Sequence, residues 1–137
     1  MITDNYTTIG MDVSDRKIQV CIMTKSGVNP KIVKEMTIPT TKEGLQKFLS
    51  AQDKNAPVVF ETGTHCRWMN EVAESMGFKV YVANPCRLRM ITESKTKNDI
   101  NDARTLARIA LSDPGMLHPV KLRDAEHQKM LNLHEMR

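Results

Sequence analysis

The amino-acid sequence predicts an α/β fold, a mixed five-stranded sheet with helices on both faces. Three observations predict it. Three strand-like segments with short connections open the chain, which marks an antiparallel meander. Helical and strand-like segments then alternate, which marks right-handed crossovers. The first and fourth strand segments each end in an acid, Asp12 and Glu61.

The elements follow in order. Residues 6–13 read as a strand rich in Thr, Ile and Val, closed by the tight turn Ser14-Asp15-Arg16. Lys17-Ile18-Gln19-Val20-Cys21-Ile22-Met23 alternates, as a half-buried strand does. Ser26-Gly27-Val28-Asn29-Pro30 is a turn and residues 31–38 a third strand. A helix then runs to about Gln52, capped by Thr40 or Thr41, with Leu45, Phe48 and Leu49 on one face. Residues 57–61 are apolar up to Glu61 and suit a central buried strand. Thr62-Gly63-Thr64 turns into a helix over 65–76, striped by Trp68, Met69, Val72, Ala73 and Met76 and stopped by Gly77. Residues 78–83 form the fifth strand, broken at Asn84-Pro85. A short helix over 86–91, a polar stretch over 92–97 and a helix over about 98–111 follow, ended by Pro114-Gly115. A last helix starts at Asp124 and is still running at Arg137. The order β-β-β-α-β-α-β-α is that of the ribonuclease H-like fold. In that fold the first and fourth strands lie side by side, so Asp12 and Glu61 become neighbours at strand carboxyl ends, where ligands bind.

Composition bounds the rest. A chain of 137 residues suits one domain, with 40% apolar, 26% charged and only 4% aromatic residues. No stretch approaches the ~18 apolar residues of a membrane span, and the first residues lack the pattern of a signal peptide. A cytoplasmic protein without membrane contact is the expectation. Cys21, Cys66 and Cys86 are odd in number and lack metal spacing, so they read as reduced thiols. His65 beside Cys66 reads as incidental, because adjacent helical residues diverge by about 100°. His118, His127 and His134 read as ordinary surface or core residues.

The chemistry lies in four carboxylates: Asp12, Glu61, Asp99 and Asp102. Positions 99, 102, 106 and 109 share one helical stripe, so Asp99 and Asp102 should face the sheet with Leu106 and Ile109. A merely solvated acid pair would lie opposite the apolar residues. Arg104 and Arg108 should point away. Two unit charges ~5 Å apart at an effective dielectric near 20 repel by roughly 3 kcal/mol. Four clustered acids therefore protonate or bind cations. Hard cations such as Mg2+ or Mn2+ prefer oxygen ligands, and two of them match four carboxylates. Two ions about 3.5–4 Å apart form the usual clamp for attack on a phosphodiester. The net charge of +4 points mildly to an anionic partner. Arg87, Arg89, Lys95, Lys97 and Arg104 surround the acid pair and suit phosphate contact, as expected for nucleic-acid binding.

These residues resemble the amino-terminal domain of the DEDD transposases of bacterial insertion sequences (insertion-sequence family 110), a group that includes the Piv-related invertases and the bridge-RNA-guided recombinases. Ile9-Gly10-Met11-Asp12-Val13-Ser14 with Lys17 is similar to the family's opening strand. Phe60-Glu61-Thr62-Gly63 with Trp68 resembles its second acidic motif. Val82-Ala83-Asn84-Pro85 with Arg87 and Arg89 resembles the segment after the fifth strand. Lys97-Asn98-Asp99-Ile100-Asn101-Asp102-Ala103 with Leu106-Ala107 resembles the closing acid pair. The resemblance implies a RuvC-like fold and a metal-dependent role in DNA strand cleavage and exchange. Asp12, Glu61, Asp99 and Asp102 would be the metal ligands and catalytic residues, with DNA and a guide RNA as partners and a homo-oligomer as the working complex. Family members are longer and carry a second domain with a serine nucleophile. Residues 1–112 would then be the catalytic domain, and 113–137 a linker and the start of a helix leading to that second domain. Two rivals stand beside this reading. An actin-like kinase would need a Gly-rich adenosine site that the chain lacks. A non-catalytic nucleic-acid-binding or assembly module would use the basic segment 84–110, with the acids as relics.

Overall fold

The computed structural model describes residues 6–25, 29–84, 103–112 and 114–117. The expected helix over 86–91, the first turn of the helix expected from 98, and the tail helix from Asp124 lie outside them. Five strands form one sheet: β1 (Tyr6–Val13), β2 (Lys17–Lys25), β3 (Pro30–Pro39), β4 (Val58–Glu61) and β5 (Val80–Ala83). Among the described residues three helices flank it: α1 (Lys42–Ser50), α2 (Cys66–Ser75) and α3 (Ala103–Ser112), the last followed by a 3-10 turn at Pro114–Leu117. The sheet order is β3-β2-β1-β4-β5. β1 runs antiparallel to β2, and β2 to β3, while β1, β4 and β5 are parallel. The α/β class, the order of elements and the pairing of the first with the fourth strand are those expected from the sequence, and they are consistent with a ribonuclease H-like fold.

The period-two alternation of the strands splits the core into two layers. Ile9, Met11, Ile18, Val20, Val58 and Phe60 face α1 and α2, where Leu45, Phe48, Leu49, Met69, Val72 and Ala73 cover them. Val59, Ala83, Cys21 and Met23 face the other way, under Leu106, Ala107, Ala110 and Leu111 of α3 and Leu117 of the 3-10 turn. Thr41 caps α1 by accepting a hydrogen bond from the Gly44 N–H, as its position predicts. Gly77 closes the α2 end with φ +94°, a left-handed value that a side chain rarely adopts.

α3 sits closer to the sheet than its apolar stripe suggests. Its buried residues are Ala103, Leu106, Ala107, Ala110 and Leu111, whereas Ile109 is only half-buried. The expected face of Leu106 and Ile109 is therefore turned toward the alanines. Small residues decide this face, because β1 presents Gly10 beneath them. A Cβ at Gly10 would stand 2.2 Å from the Ala103 carbonyl oxygen and 2.8 Å from the Ala107 nitrogen. Next to it the buried Thr8 hydroxyl donates to the Ala107 carbonyl at 2.9 Å. Thr8 lies against Ala107, and Gly10 against Ala103 as well. α3 thus runs antiparallel to β1 and brings its amino-terminal end to the carboxyl end of that strand.

The strand termini are pinned. The Ser14 hydroxyl donates to the Lys17 carbonyl at 2.7 Å, and the Thr40 hydroxyl donates to the Ser14 carbonyl at 2.7 Å. The turn that follows Asp12 is thereby tied to the end of β3.

Candidate functional site

Asp12 and Glu61 stand level on adjacent parallel strands. Ile9 pairs with Val58 and Gly10 with Val59. The same register carried forward sets Asp12 beside Glu61, on strands about 4.8 Å apart. Alternation settles their face. Asp12 has the parity of Thr8 and Gly10, and Glu61 that of Val59, so both belong to the face that carries α3. Both acids are half-buried. They line one cleft of about 180 Å³ at the carboxyl ends of β1 and β4, together with Ser14, Asp15, Thr64, His65 and Leu106.

The structure thus brings together two of the four acids read from the sequence. Asp99 and Asp102 lie outside the described residues, as do Arg87, Arg89, Lys95 and Lys97. In the chain, Asp102 directly precedes Ala103, the first residue of α3 and the one whose carbonyl packs on Gly10, two residues before Asp12. Among the described residues no group of three or more His, Cys, Asp or Glu side chains is gathered closely enough to hold a metal ion.

Arg104 is exposed, as expected, and its guanidinium forks onto Glu35 of β3: Nε donates to Oε2 at 2.5 Å and Nη2 to Oε1 at 2.7 Å. A phosphate contact along that edge of Arg104 must displace Glu35. These hydrogen bonds hold the Glu35 carboxyl below the usual carboxylate range. A depressed acid contributes stability that is full above its unfolded value and lost as pH falls through its folded one. The pair is solvent-exposed, so the contribution is at most about 1 kcal/mol. Glu35→Gln is expected to lower the urea midpoint slightly at neutral pH and to match the parent in acid, below both pKa values.

His65, which reads from the sequence only as an incidental neighbour of Cys66, makes contacts that sequence reasoning did not include. It precedes α2, and its ring bridges two side chains. The Trp68 indole Nε1–H donates to His65 Nδ1 at 3.0 Å, and His65 Nε2 lies 3.0 Å from Asp15 Oδ1. The His65 and Trp68 rings meet edge to face, with centroids 6.0 Å apart. The i, i+3 spacing of His65 and Trp68 at the start of a helix is the one local signal. Asp15 is distant in sequence and gave none. Cys66 is half-buried and Cys21 buried, and neither is in a disulfide.

Among the described residues no helix is long and apolar enough to cross a membrane. No curated protein matches the chain. The family model of the DEDD transposases of insertion-sequence family 110, described as Transposase, matches residues 9–137 and so takes in Asp12, Glu61, Asp99 and Asp102 together. The chain, matched over nearly its whole length, belongs to that transposase family.

Proposed function

We propose that this chain supplies the metal-dependent DNA strand cleavage and exchange site of its transposase, with Asp12, Glu61, Asp99 and Asp102 as ligands of two divalent ions, Mg2+ or Mn2+. One observation carries the proposal: Asp12 and Glu61 are level on neighbouring strands, on one face, in one cleft, at the end of the sheet to which α3 delivers its amino terminus. The donor set fits the ions, since it offers carboxylate oxygens, the ligands hard cations prefer. When bound, such ions activate an attacking oxygen and stabilise the departing one on phosphorus.

The chain's own residues supply placement. β1 and β4 are buried strands, so their terminal acids are held on a stiff base. Gly10 lets α3 approach, and the proposal adds the two acids that precede α3 in the chain. Arg87, Arg89, Lys95 and Lys97 would neutralise backbone phosphates alongside, which requires no base sequence. DNA as substrate follows from the family. A guide RNA, a homo-oligomeric working complex, a second domain beyond residues 113–137 and a cytoplasmic location belong to the same proposal and rest on the resemblance of the four motifs.

A crystal soaked in Mn2+ and read by anomalous scattering tests it. Two peaks are expected within about 2–2.6 Å of carboxylate oxygens of Asp12, Glu61, Asp99 and Asp102. Crystals of Asp12→Asn are expected to lose at least one. Peaks absent from this cleft, or unaltered by that substitution, would leave the chain a nucleic-acid-binding module without metal chemistry.

A further inference from the structure

We propose that His65 contacts the substrate, its Nε2–H donating to a backbone phosphate oxygen of bound nucleic acid, and that Asp15 holds the place of that oxygen in the substrate-free chain. The proposal rests on the assignment of this cleft as the DNA-processing site. An indole N–H only donates, so His65 Nδ1, 3.0 Å from Trp68 Nε1, is the accepting nitrogen. The proton of the neutral ring is then on Nε2. Trp68 is thus a positioning residue: it fixes the tautomer that turns a donor toward Asp15.

Asp15 is a poor structural partner. Its side chain is 91% exposed and that of His65 24%, and an exposed pair of this kind contributes little to stability. A weak contact is easily exchanged. Both residues line the cleft that holds Asp12 and Glu61. A polyanion entering a cleft lined by acids needs donors on its walls. His65 Nε2–H is such a donor, already matched to a negatively charged oxygen at 3.0 Å. A phosphate oxygen has the same charge sign and the same hydrogen-bonding capacity as the Asp15 carboxylate, and the exchange breaks no covalent bond.

Trp68 is the single tryptophan of the chain, so its emission reports on this site directly. A short DNA duplex titrated into the whole chain is expected to change that emission. His65→Ala is expected to weaken duplex binding about tenfold, the loss of one hydrogen bond to a charged acceptor. His65→Gln, whose side-chain amide nitrogen can stand near the Nε2 position, should recover most of the affinity. Asp15→Ala should tighten binding, because a competing acceptor and a like charge leave the rim. Unchanged Trp68 emission on adding DNA, equal losses in the Ala and Gln variants of His65, or weaker binding by Asp15→Ala would overturn the proposal. Calorimetry with Mn2+ alone separates it from the metal assignment. His65→Ala should keep the parent's Mn2+ affinity, and a parent that binds no Mn2+ removes the metal centre while the His65 results stand.

Discussion

Replacing Gly10 by Ala is expected to lower the unfolding free energy by about 2–3 kcal/mol. Propensity alone gives the opposite sign, since Ala normally outperforms Gly inside a strand by roughly 0.5–1 kcal/mol. Packing decides the matter. The added carbon would lie 2.2 Å from the Ala103 oxygen, 2.8 Å from the Ala107 nitrogen and 3.0 Å from the Ala107 Cβ. Two of these are backbone atoms of a helix, which no side-chain rotation can move aside. α3 must lift, and the Thr8 hydrogen bond to Ala107 stretches with it. Equilibrium urea unfolding measures the cost. Gly63→Ala is the control: its Cβ would meet nothing within 4 Å, so its midpoint should stay close to the parent's. Lifting α3 also shifts Ala103, the residue after Asp102 in the chain, so on the proposed ligand set Mn2+ affinity should fall in Gly10→Ala even where the protein is fully folded. Stability and affinity both at parental values would mean that α3 does not set the site.

What the sequence made legible is what local periodicity encodes. The alternation of Lys17 to Met23 and the apolar run before Glu61 are one-dimensional patterns, and both appear as the expected strands. The pairing of β1 with β4 followed from the order of elements, and with it the meeting of Asp12 and Glu61. The closeness of α3 was less legible, because alanine carries little hydrophobic signal and the stripe was drawn through Leu106 and Ile109 instead. Only the glycine beneath it, one strand away, explains why Ala103, Ala107 and Ala110 form the contact. β3 shows the same limit. Residues 31–38 read only as a strand, and that Ile32 and Val33 stand exposed on the sheet edge among Lys31, Lys34 and Glu35 is a position fixed by topology. The Asp15–His65 and Glu35–Arg104 pairs join residues far apart in the chain, and no local pattern announces such pairs.

Asp12→Asn provides the second large effect, one visible only in the presence of metal. The proposed ligands on β1 and β4 come together only on folding, so an ion held by them would bind the native chain and not the unfolded one. At a free Mn2+ concentration a hundredfold above Kd, that linkage adds about 2.7 kcal/mol to the unfolding free energy. For a domain of this size the gain raises Tm by roughly 10 °C. Asparagine keeps the shape of aspartate but removes the charge and one anionic ligand oxygen, so the Mn2+-dependent rise should vanish in Asp12→Asn and in Glu61→Gln. Comparing each variant in Mn2+ with the same variant in chelator cancels whatever the substitution does to the metal-free fold. The test therefore isolates the shared site from the hydrogen bonds of either residue. His65→Ala should keep the full rise, since the proposal gives His65 to the phosphate and not to the ions. An Mn2+-dependent rise of equal size in the parent and in Asp12→Asn would place the ions elsewhere on the chain, and the level pairing of residues 12 and 61 would then be a feature of the sheet alone.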